Sequence, residues 1–100
     1  MEYHSIIFIP SHSNDVNMLK EFNIDFSKLK KFAFLGDTYF CFEKNFNFLK
    51  LINSLNIKNN LVYFEFKGNV ISKREPSEFE FINNLKSLKY LGLFFVLIFL

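Results

Sequence analysis

The last ten residues, Leu91-Gly92-Leu93-Phe94-Phe95-Val96-Leu97-Ile98-Phe99-Leu100, constrain how the rest of the chain folds. From Leu93 onward this run has no polar side chain, so the other residues or a partner must remove it from water. Gly92 is a typical helix end, and the aromatic and branched residues after it favour a buried strand. One alternative is a tail that packs on another subunit or dips into a membrane surface. A single membrane-spanning helix is disfavoured, because it needs about 20 apolar residues and would take in Lys86 and Lys89.

Composition sets the size and class of the protein. One hundred residues predict one domain, 1–100, with 91–100 as its apolar C-terminal segment. Half of the residues are hydrophobic and 22% are charged, which is typical of a globular chain. A net charge of +2 is too small to indicate nucleic-acid binding by itself. The single Cys41 indicates a reducing, intracellular compartment, and the N-terminus resembles neither a signal peptide nor a transit peptide.

The residue usage is strongly biased. There are sixteen Phe residues but one Ala and one Arg. Selection for a packed core would not prefer Phe to this extent, whereas codons rich in A and T would produce it. We therefore predict an A/T-rich genome, with a mitochondrion-encoded protein as the first hypothesis. A phage or bacterium with an A/T-rich genome, and hence a bacterial cytoplasmic location, is the alternative.

Periodicity predicts an α+β fold, a small mixed sheet of two hairpins plus terminal strands with two or three helices packed on it. The first strand is expected at 3–9, with burial on both faces. The hairpins are expected at 32–43, turning at Gly36-Asp37, and at 61–73, turning at Gly68-Asn69. The terminal strands are expected to be neighbours at the centre of the sheet.

Three helices are predicted. The first spans 16–22, and the second spans 46–56 with Asn45 as its cap. The third starts at Ser77, where Glu80 completes a capping box. A weak internal repeat is also visible, in which Tyr39-Phe40-Cys41-Phe42 resembles Tyr63-Phe64-Glu65-Phe66.

No catalytic, cofactor-binding or metal site is predicted. His4, His12 and Cys41 lack the paired short spacing of zinc ligands, and Cys41 lies in a predicted strand where an inert buried thiol is the commoner case. The three glycines are too far apart for a phosphate-binding loop. We therefore expect a protein that is not an enzyme, with no cofactor and no small-molecule substrate.

The best basic cluster combines Lys28, Lys30 and Lys31, to which Lys73 and Arg74 add further charge. These five residues are candidate contacts to RNA phosphates. The competing interpretation is an ordinary solvated surface that keeps the chain soluble.

These observations predict a non-catalytic structural or interaction subunit of a larger assembly, either a respiratory-chain complex or a mitochondrial ribosome. The respiratory version expects the C-terminal run to contact protein or a membrane surface through Phe94, Phe95, Leu97 and Phe99. The ribosomal version expects the five basic residues to converge on one face. The alternative is a small stand-alone inhibitor or immunity-type binding protein, for which the C-terminal strand is fully internal.

Overall fold

The computed structural model describes residues 4–12, 19, 21, 28–43, 46–55 and 60–98. In this part of the chain, five strands form one sheet against which an α-helix and a 3₁₀-helix pack, so the broad α+β class predicted from the sequence is confirmed. The elements are β1 (Ser5–Phe8), β2 (Lys31–Leu35), β3 (Cys41–Phe42), the α-helix α1 (Phe48–Leu55), β4 (Tyr63–Val70), a 3₁₀-helix (Pro76–Asn84) and β5 (Tyr90–Leu97).

Every strand pairing in the described part of the chain is parallel. β5 occupies one edge of β4 over its whole length. β2 and the short β3 therefore lie in line along the other edge of β4, and β1 pairs with the far side of β2. The order of the strands in space, β1, then β2 with β3, then β4, then β5, is thus their order in the chain.

Each strand, together with the segment that leads to the next strand, forms a unit that we call a coil, and the coils follow one another along the sheet. Ser5, Lys31, Tyr63 and Tyr90 lie at the same level of neighbouring strands, so the strands recur after 26, 32 and 27 residues. In the returns that the structure describes, α1 and the 3₁₀-helix pack on the same side of the sheet. A parallel strand followed by a helical or irregular return, repeated with a similar length, is the organisation of a solenoid.

The start of each new strand is hydrogen-bonded in the same way to the coil before it. Two consecutive backbone N–H groups donate to one carbonyl oxygen of the preceding coil, which fixes the register between neighbours. The pairs are Lys30 and Lys31 to His4 (2.8 and 3.1 Å), Val62 and Tyr63 to Lys30 (2.7 and 3.0 Å), and Lys89 and Tyr90 to Val62 (2.8 and 3.1 Å).

The core lies between the sheet and the helical returns and consists largely of phenylalanine. Phe32 stacks on Phe64 with ring centroids 6.1 Å apart, and Phe34 meets Phe66 at 5.2 Å. α1 adds the buried Phe48, which touches Phe66 at 4.8 Å. Since each fully buried Phe contributes on the order of 2–3 kcal/mol, this aromatic cluster is the main source of stability. Its other buried members are Leu19, Leu29, Phe40, Phe42, Leu51, Ile52, Leu61, Val70 and Phe81.

Both predicted hairpins are wrong. β4 runs without a turn through Gly68-Asn69, because Gly68 lies under the ring of Phe42 and a Cβ there would come within 2.6 Å of its Cε2. That position needs glycine for close packing and not for a turn. Gly36-Asp37 does begin a loop, but the loop leads from β2 to β3, and both of these strands run parallel to β4.

The terminal strands are not neighbours at the centre of the sheet, because β1 and β5 form its two opposite edges. β5 is a strand, as predicted, but it starts at Tyr90 and passes through Gly92. It is also not internal, since about half of the Phe94 and Val96 side chains is exposed. β1 is likewise not buried on both faces, because Ser5 and Ile7 are exposed.

The helices begin at different caps from those predicted. The 3₁₀-helix is capped by Glu75, whose backbone N–H donates to Glu78 Oε2 at 2.7 Å, because Pro76 occupies the first helical position. α1 is capped by Asn47, whose Oδ1 accepts the N–H of Lys50 at 2.8 Å. The proposed cap Asn45 lies outside the described residues, as does most of the predicted helix at 16–22.

Candidate interaction surfaces

The side chains that alternate with the core residues form a second surface, which we call the outer face. Along β4 the odd-numbered residues point away from the phenylalanine core and are less buried than their neighbours. Parallel strands in register direct paired side chains to the same side. The outer face therefore consists of Ser5, Ile7, Lys31, Ala33, Leu35, Tyr63, Glu65, Lys67, Asn69, Tyr90, Gly92, Phe94 and Val96.

A row of three side chains crosses the outer face from β2 to β5. The rings of Tyr63 and Tyr90 are nearly parallel, with an interplanar angle of 7° and centroids 4.2 Å apart. Lys31 Nζ lies 4.5 Å from the centroid of the Tyr63 ring. Exposed cation–π and stacked aromatic contacts each contribute about 0.5–1 kcal/mol, so the three side chains hold one another in place.

Glu65 lies next to this row and accepts a hydrogen bond from the Tyr63 hydroxyl, with an O–O distance of 3.3 Å. Desolvation, followed by the negative charge of Glu65, raises the pKa of Tyr63 to about 12. The phenol is protonated at neutral pH, as an ordinary tyrosine is, and it acts as the donor. This pairing keeps the Glu65 carboxylate on the outer face beside the stacked rings.

A polar loop between β2 and β3 borders the outer face at the carboxyl ends of the strands. Asp37 organises this loop, because its Oδ1 accepts the backbone N–H groups of Tyr39 (2.9 Å) and Phe40 (3.2 Å). Ser11 Oγ, from the preceding coil, donates to Asp37 Oδ2 at 2.6 Å. The Ser11 hydrogen bond, followed by that from Tyr39, lowers the pKa of Asp37.

Beside this loop is a cleft of about 380 Å³ that combines polar and apolar walls. Clefts at the carboxyl ends of parallel strands are common ligand sites in open sheets. Here, however, the Asp37 carboxylate is already used by its own loop, and so is the side-chain amide of Asn69. The cleft is lined by Gly36, Asp37, Thr38, Lys67, Gly68, Asn69, Phe94 and Val96.

Besides the outer face, a further candidate surface is the free side of β5, which we call the β5 edge. Within the described residues β5 pairs only with β4, so its other side has no neighbouring strand. Its eight residues include no charged side chain. Five of them are large, apolar or aromatic, and strongly exposed: Tyr90 (41%), Leu91 (45%), Phe94 (51%), Val96 (59%) and Leu97 (42%).

An apolar groove of about 530 Å³ opens next to Leu97 at one end of the β5 edge. The groove lies between the ends of β4 and β5 and the start of the 3₁₀-helix. Its walls are Val70, Lys73, Arg74, Pro76, Phe79, Leu93, Phe95 and Leu97.

The five basic residues predicted to contact RNA do not lie together. Lys28 and Lys30 are exposed just before β2, and Lys31 lies over Tyr63 at the start of the sheet. Lys73 and Arg74 follow the opposite end of β4. At about 3.3 Å per residue, β4 separates the two groups by about 23 Å.

Arg74 has a structural position that the sequence did not suggest. Its side chain is 6% exposed and forms an ion pair with Glu78. The guanidinium also donates to the backbone oxygens of Glu43 (3.2 Å) and Phe46 (2.6 Å), and it lies 5.2 Å from the Phe48 ring centroid. Arg74 therefore joins the segment after β3 to the 3₁₀-helix. No local motif indicates this link, because the backbone oxygens of Glu43 and Phe46 belong to a segment about 30 residues earlier in the chain.

Four residues of the C-terminal run were predicted to contact a partner or a membrane, and they differ in exposure. Phe94 and Leu97 are exposed on the β5 edge. Phe95 points inward, with its ring 5.8 Å from Phe42 and 5.6 Å from Phe48, so it belongs to the core. Phe99 lies outside the described residues.

The candidate nucleophile and metal ligands do not form a site in the described part of the chain. No three His, Cys, Asp or Glu side chains among those residues are close enough together to hold a metal ion. Cys41 is half-buried, and desolvation, followed by the charge of Glu43, raises the pKa of its thiol. A raised pKa disfavours the thiolate that a nucleophile needs.

None of the helices among the described residues is long and apolar enough to cross a membrane. The chain matches no protein-family model, no curated protein and no solved structure. We therefore infer its function from the outer face and the β5 edge.

Proposed function

We propose that this chain is a non-catalytic interaction subunit that binds a partner protein on its outer face. The observation that carries the proposal is the row formed by Lys31, Tyr63 and Tyr90, whose side chains are held by contacts with one another. Side chains ordered before binding lose little conformational entropy when a partner arrives. Tyrosine is also among the residues enriched at the energetic centres of protein interfaces.

The coil pattern supports the same class of function. Leu61-x-x-Phe64-x-Phe66-x-x-Asn69 follows the spacing of leucine-rich repeats, with Phe in place of two leucines. Leu29-x-x-Phe32-x-Phe34-x-x-Asp37 and Leu88-x-x-Leu91-x-Leu93 fall at the same positions of the neighbouring coils. Solenoids of this kind present the exposed side of their strands as a continuous binding surface.

The chemistry of the outer face favours a protein partner over RNA. The Tyr63 ring lies between Lys31 and Tyr90, so neither of its faces is free to stack on a base. Lys31 and the exposed Lys67 give the face two positive charges, while Glu65 is engaged by the Tyr63 hydroxyl. A partner segment with a carboxylate beside apolar side chains complements this arrangement.

The larger assembly itself stays a prediction from composition. An organelle-encoded respiratory or ribosomal subunit agrees with the biased residue usage, and a binding protein from an A/T-rich phage or bacterium is the alternative. Both are interaction proteins, and both are served by the same outer face.

Selection of a random peptide library displayed on phage against the immobilised chain tests the proposal. We expect enriched peptides that pair an acidic residue with aromatic or aliphatic ones. Their affinity, measured by fluorescence polarisation, should fall about tenfold in Tyr90→Ser, the usual loss at an interface anchor. Lys31→Glu should also weaken binding, by repulsion of the acidic residue.

Tyr39→Ser is the matched control, because Tyr39 is 84% exposed but lies in the loop after β2, away from the row. This variant should bind the selected peptides like the unmodified chain. Failure to enrich any peptide, or an equal loss in Tyr39→Ser and Tyr90→Ser, would contradict binding at the outer face.

A further inference from the structure

We propose that this chain forms a dimer in which the β5 edges of two copies pair in antiparallel orientation, about a two-fold axis that passes through Phe94. The result is one continuous sheet, in which the strands run from β1 to β5 in one copy and then from β5 to β1 in the other. This contact uses the side of β5 that faces away from β4, and it does not depend on the partner proposed for the outer face.

The β5 edge lacks the features that usually prevent edge pairing. Natural edge strands are commonly short, or carry Lys, Pro or a bulge that blocks another strand. β5 has eight residues from Tyr90 to Leu97, no proline and no charge. Its register with β4 is uninterrupted over the full length, so it has no bulge. The strand therefore presents a straight row of backbone donors and acceptors to a second chain.

The axis position follows from the alternation of side chains. In an antiparallel pair, directly opposed residues point to the same side of the sheet. If both copies keep the core on one side, outer residues must face outer residues, so the axis must pass through a residue and not between two residues.

A two-fold axis at Phe94 gives every exposed apolar residue of β5 an apolar or glycine neighbour. Phe94 then faces Phe94 of the second copy, and Leu91 faces Leu97. Tyr90 faces Ile98 and Val96 faces Gly92, against which the Phe94 ring of the same copy already lies. An axis at Leu93 would instead place Leu97 opposite Lys89, a charged residue, so the axis at Phe94 is favoured.

β5 of a second copy fits this edge better than any other strand of a second copy. The strand is uncharged, so pairing with itself brings no like charges together. It also matches its own length, whereas β1 of another copy has four residues and would cover only half of β5. The pairing further places Leu91 of the second copy beside Leu97, at the mouth of the 530 Å³ apolar groove. The interface therefore continues past the strand itself, and closed two-fold dimers of this kind are the commonest oligomers.

Sedimentation equilibrium of the chain without detergent is the first test. We expect a monomer–dimer equilibrium, with no larger species. Val96→Lys places a charge on the edge of both copies and should raise the dimer dissociation constant at least about tenfold. Ile9→Lys is the control, because Ile9 is equally exposed but follows β1 at the opposite edge.

Each other result overturns the proposal. A chain that stays monomeric at all concentrations leaves β5 unpaired. Equal weakening by Val96→Lys and Ile9→Lys indicates head-to-tail stacking of β5 on β1. A chain that is soluble only with detergent, or only with a co-expressed protein, has its β5 edge covered by lipid or by a different subunit.

Cysteine cross-linking tests the axis directly and stays informative if Val96→Lys fails to fold. In a Cys41→Ser background, Phe94→Cys places two thiols opposite each other across the axis, at a Cα separation compatible with a disulfide. Mild oxidation should convert most of this variant to a covalent dimer, but not the matching Ile9→Cys variant. Equal cross-linking of the two variants, or none in Phe94→Cys, rejects this pairing.

Discussion

The side-chain amide of Asn69 on β4 donates to the backbone oxygen of Phe40 at 3.1 Å. The same Nδ2 also donates to the oxygen of Thr38 at 3.2 Å. These two bonds lie where β2 ends and β3 has not yet begun, so one side chain links β4 to the loop in place of a backbone ladder. The amide at position 69 therefore joins the loop to β4 between the backbone pairing of β2 and that of β3.

Asn69→Ala should destabilise the fold by about 1–3 kcal/mol, chiefly because the partly buried Phe40 carbonyl loses its donor, whereas the Thr38 carbonyl is exposed to water. Asn69→Asp should cost more, because a carboxylate would face two carbonyl oxygens. The free energy of unfolding in urea measures both effects. Asn84→Ala, at an exposed position of the 3₁₀-helix, is the control and should change it by less than about 0.5 kcal/mol. Equal stability of Asn69→Ala and the unmodified chain would show that the loop does not need this link.

Asp37 should make the stability of the protein depend on pH in the acid range. Its folded-state pKa is lowered by the Ser11 hydroxyl and by backbone N–H groups, whereas an unfolded Asp has a pKa of about 3.9. A lowered pKa stabilises the folded state above the unfolded pKa, and this contribution is lost as the pH falls through the folded pKa. The stability gap between the unmodified chain and Asp37→Asn should therefore be largest near neutral pH.

Urea unfolding between neutral pH and about pH 3 measures this gap, because that range includes the unfolded carboxyl pKa. Ser11→Ala removes the largest cause of the shift and should raise the pKa of Asp37 in an NMR titration. A gap that does not change with pH would contradict the role of the ionised carboxylate.

Local sequence patterns predicted the type of a helix or strand better than they predicted which strands pair with each other. The helix predicted at 46–56 and the strand character of the C-terminal run depend on neighbouring residues, and the structure has α1 and β5 there. The hairpins failed because Gly68-Asn69 has the composition of a turn, while the ring of Phe42 above Gly68 requires a glycine for a different reason. Which strand pairs with which depends on contacts about 30 residues apart, and local periodicity does not carry that information.

The repeat suggested by the sequence has a different register from the one in the structure. Tyr39–Phe42 resembles Tyr63–Phe66 in composition, yet the structure pairs Phe32 and Phe34 with Phe64 and Phe66. In a chain with sixteen Phe residues, short matches between aromatic segments are common. The spacing of Leu29, Leu61 and Leu88 ahead of each strand is the feature that would have identified the coils. The row of Lys31, Tyr63 and Tyr90 on the outer face depends on this register, so the row could not be predicted without the register.

Arg74 should be important for stability and not replaceable by lysine. Its guanidinium reaches two backbone oxygens and Glu78 at once, an arrangement that a single ammonium group does not reproduce. Arg74→Lys and Arg74→Met should both lower the free energy of unfolding by about 1–3 kcal/mol. The neighbouring Lys73→Met, at an exposed position, is the control and should have little effect. A fully stable Arg74→Lys variant would mean that only the charge matters.

Tyr63 should ionise at unusually high pH, and Glu65 should account for only part of the shift. Desolvation is the largest cause, followed by the carboxylate, so Glu65→Gln should lower the pKa from about 12 but leave it above the ordinary value near 10. NMR of chain labelled with ¹³C at the tyrosine Cζ resolves this residue from the other tyrosines. Glu43→Gln is the matched control, because it removes a carboxylate elsewhere on the surface and should leave the Tyr63 titration unchanged. Ionisation of Tyr63 near pH 10 in the unmodified chain would contradict the desolvated hydroxyl beside the Glu65 carboxylate.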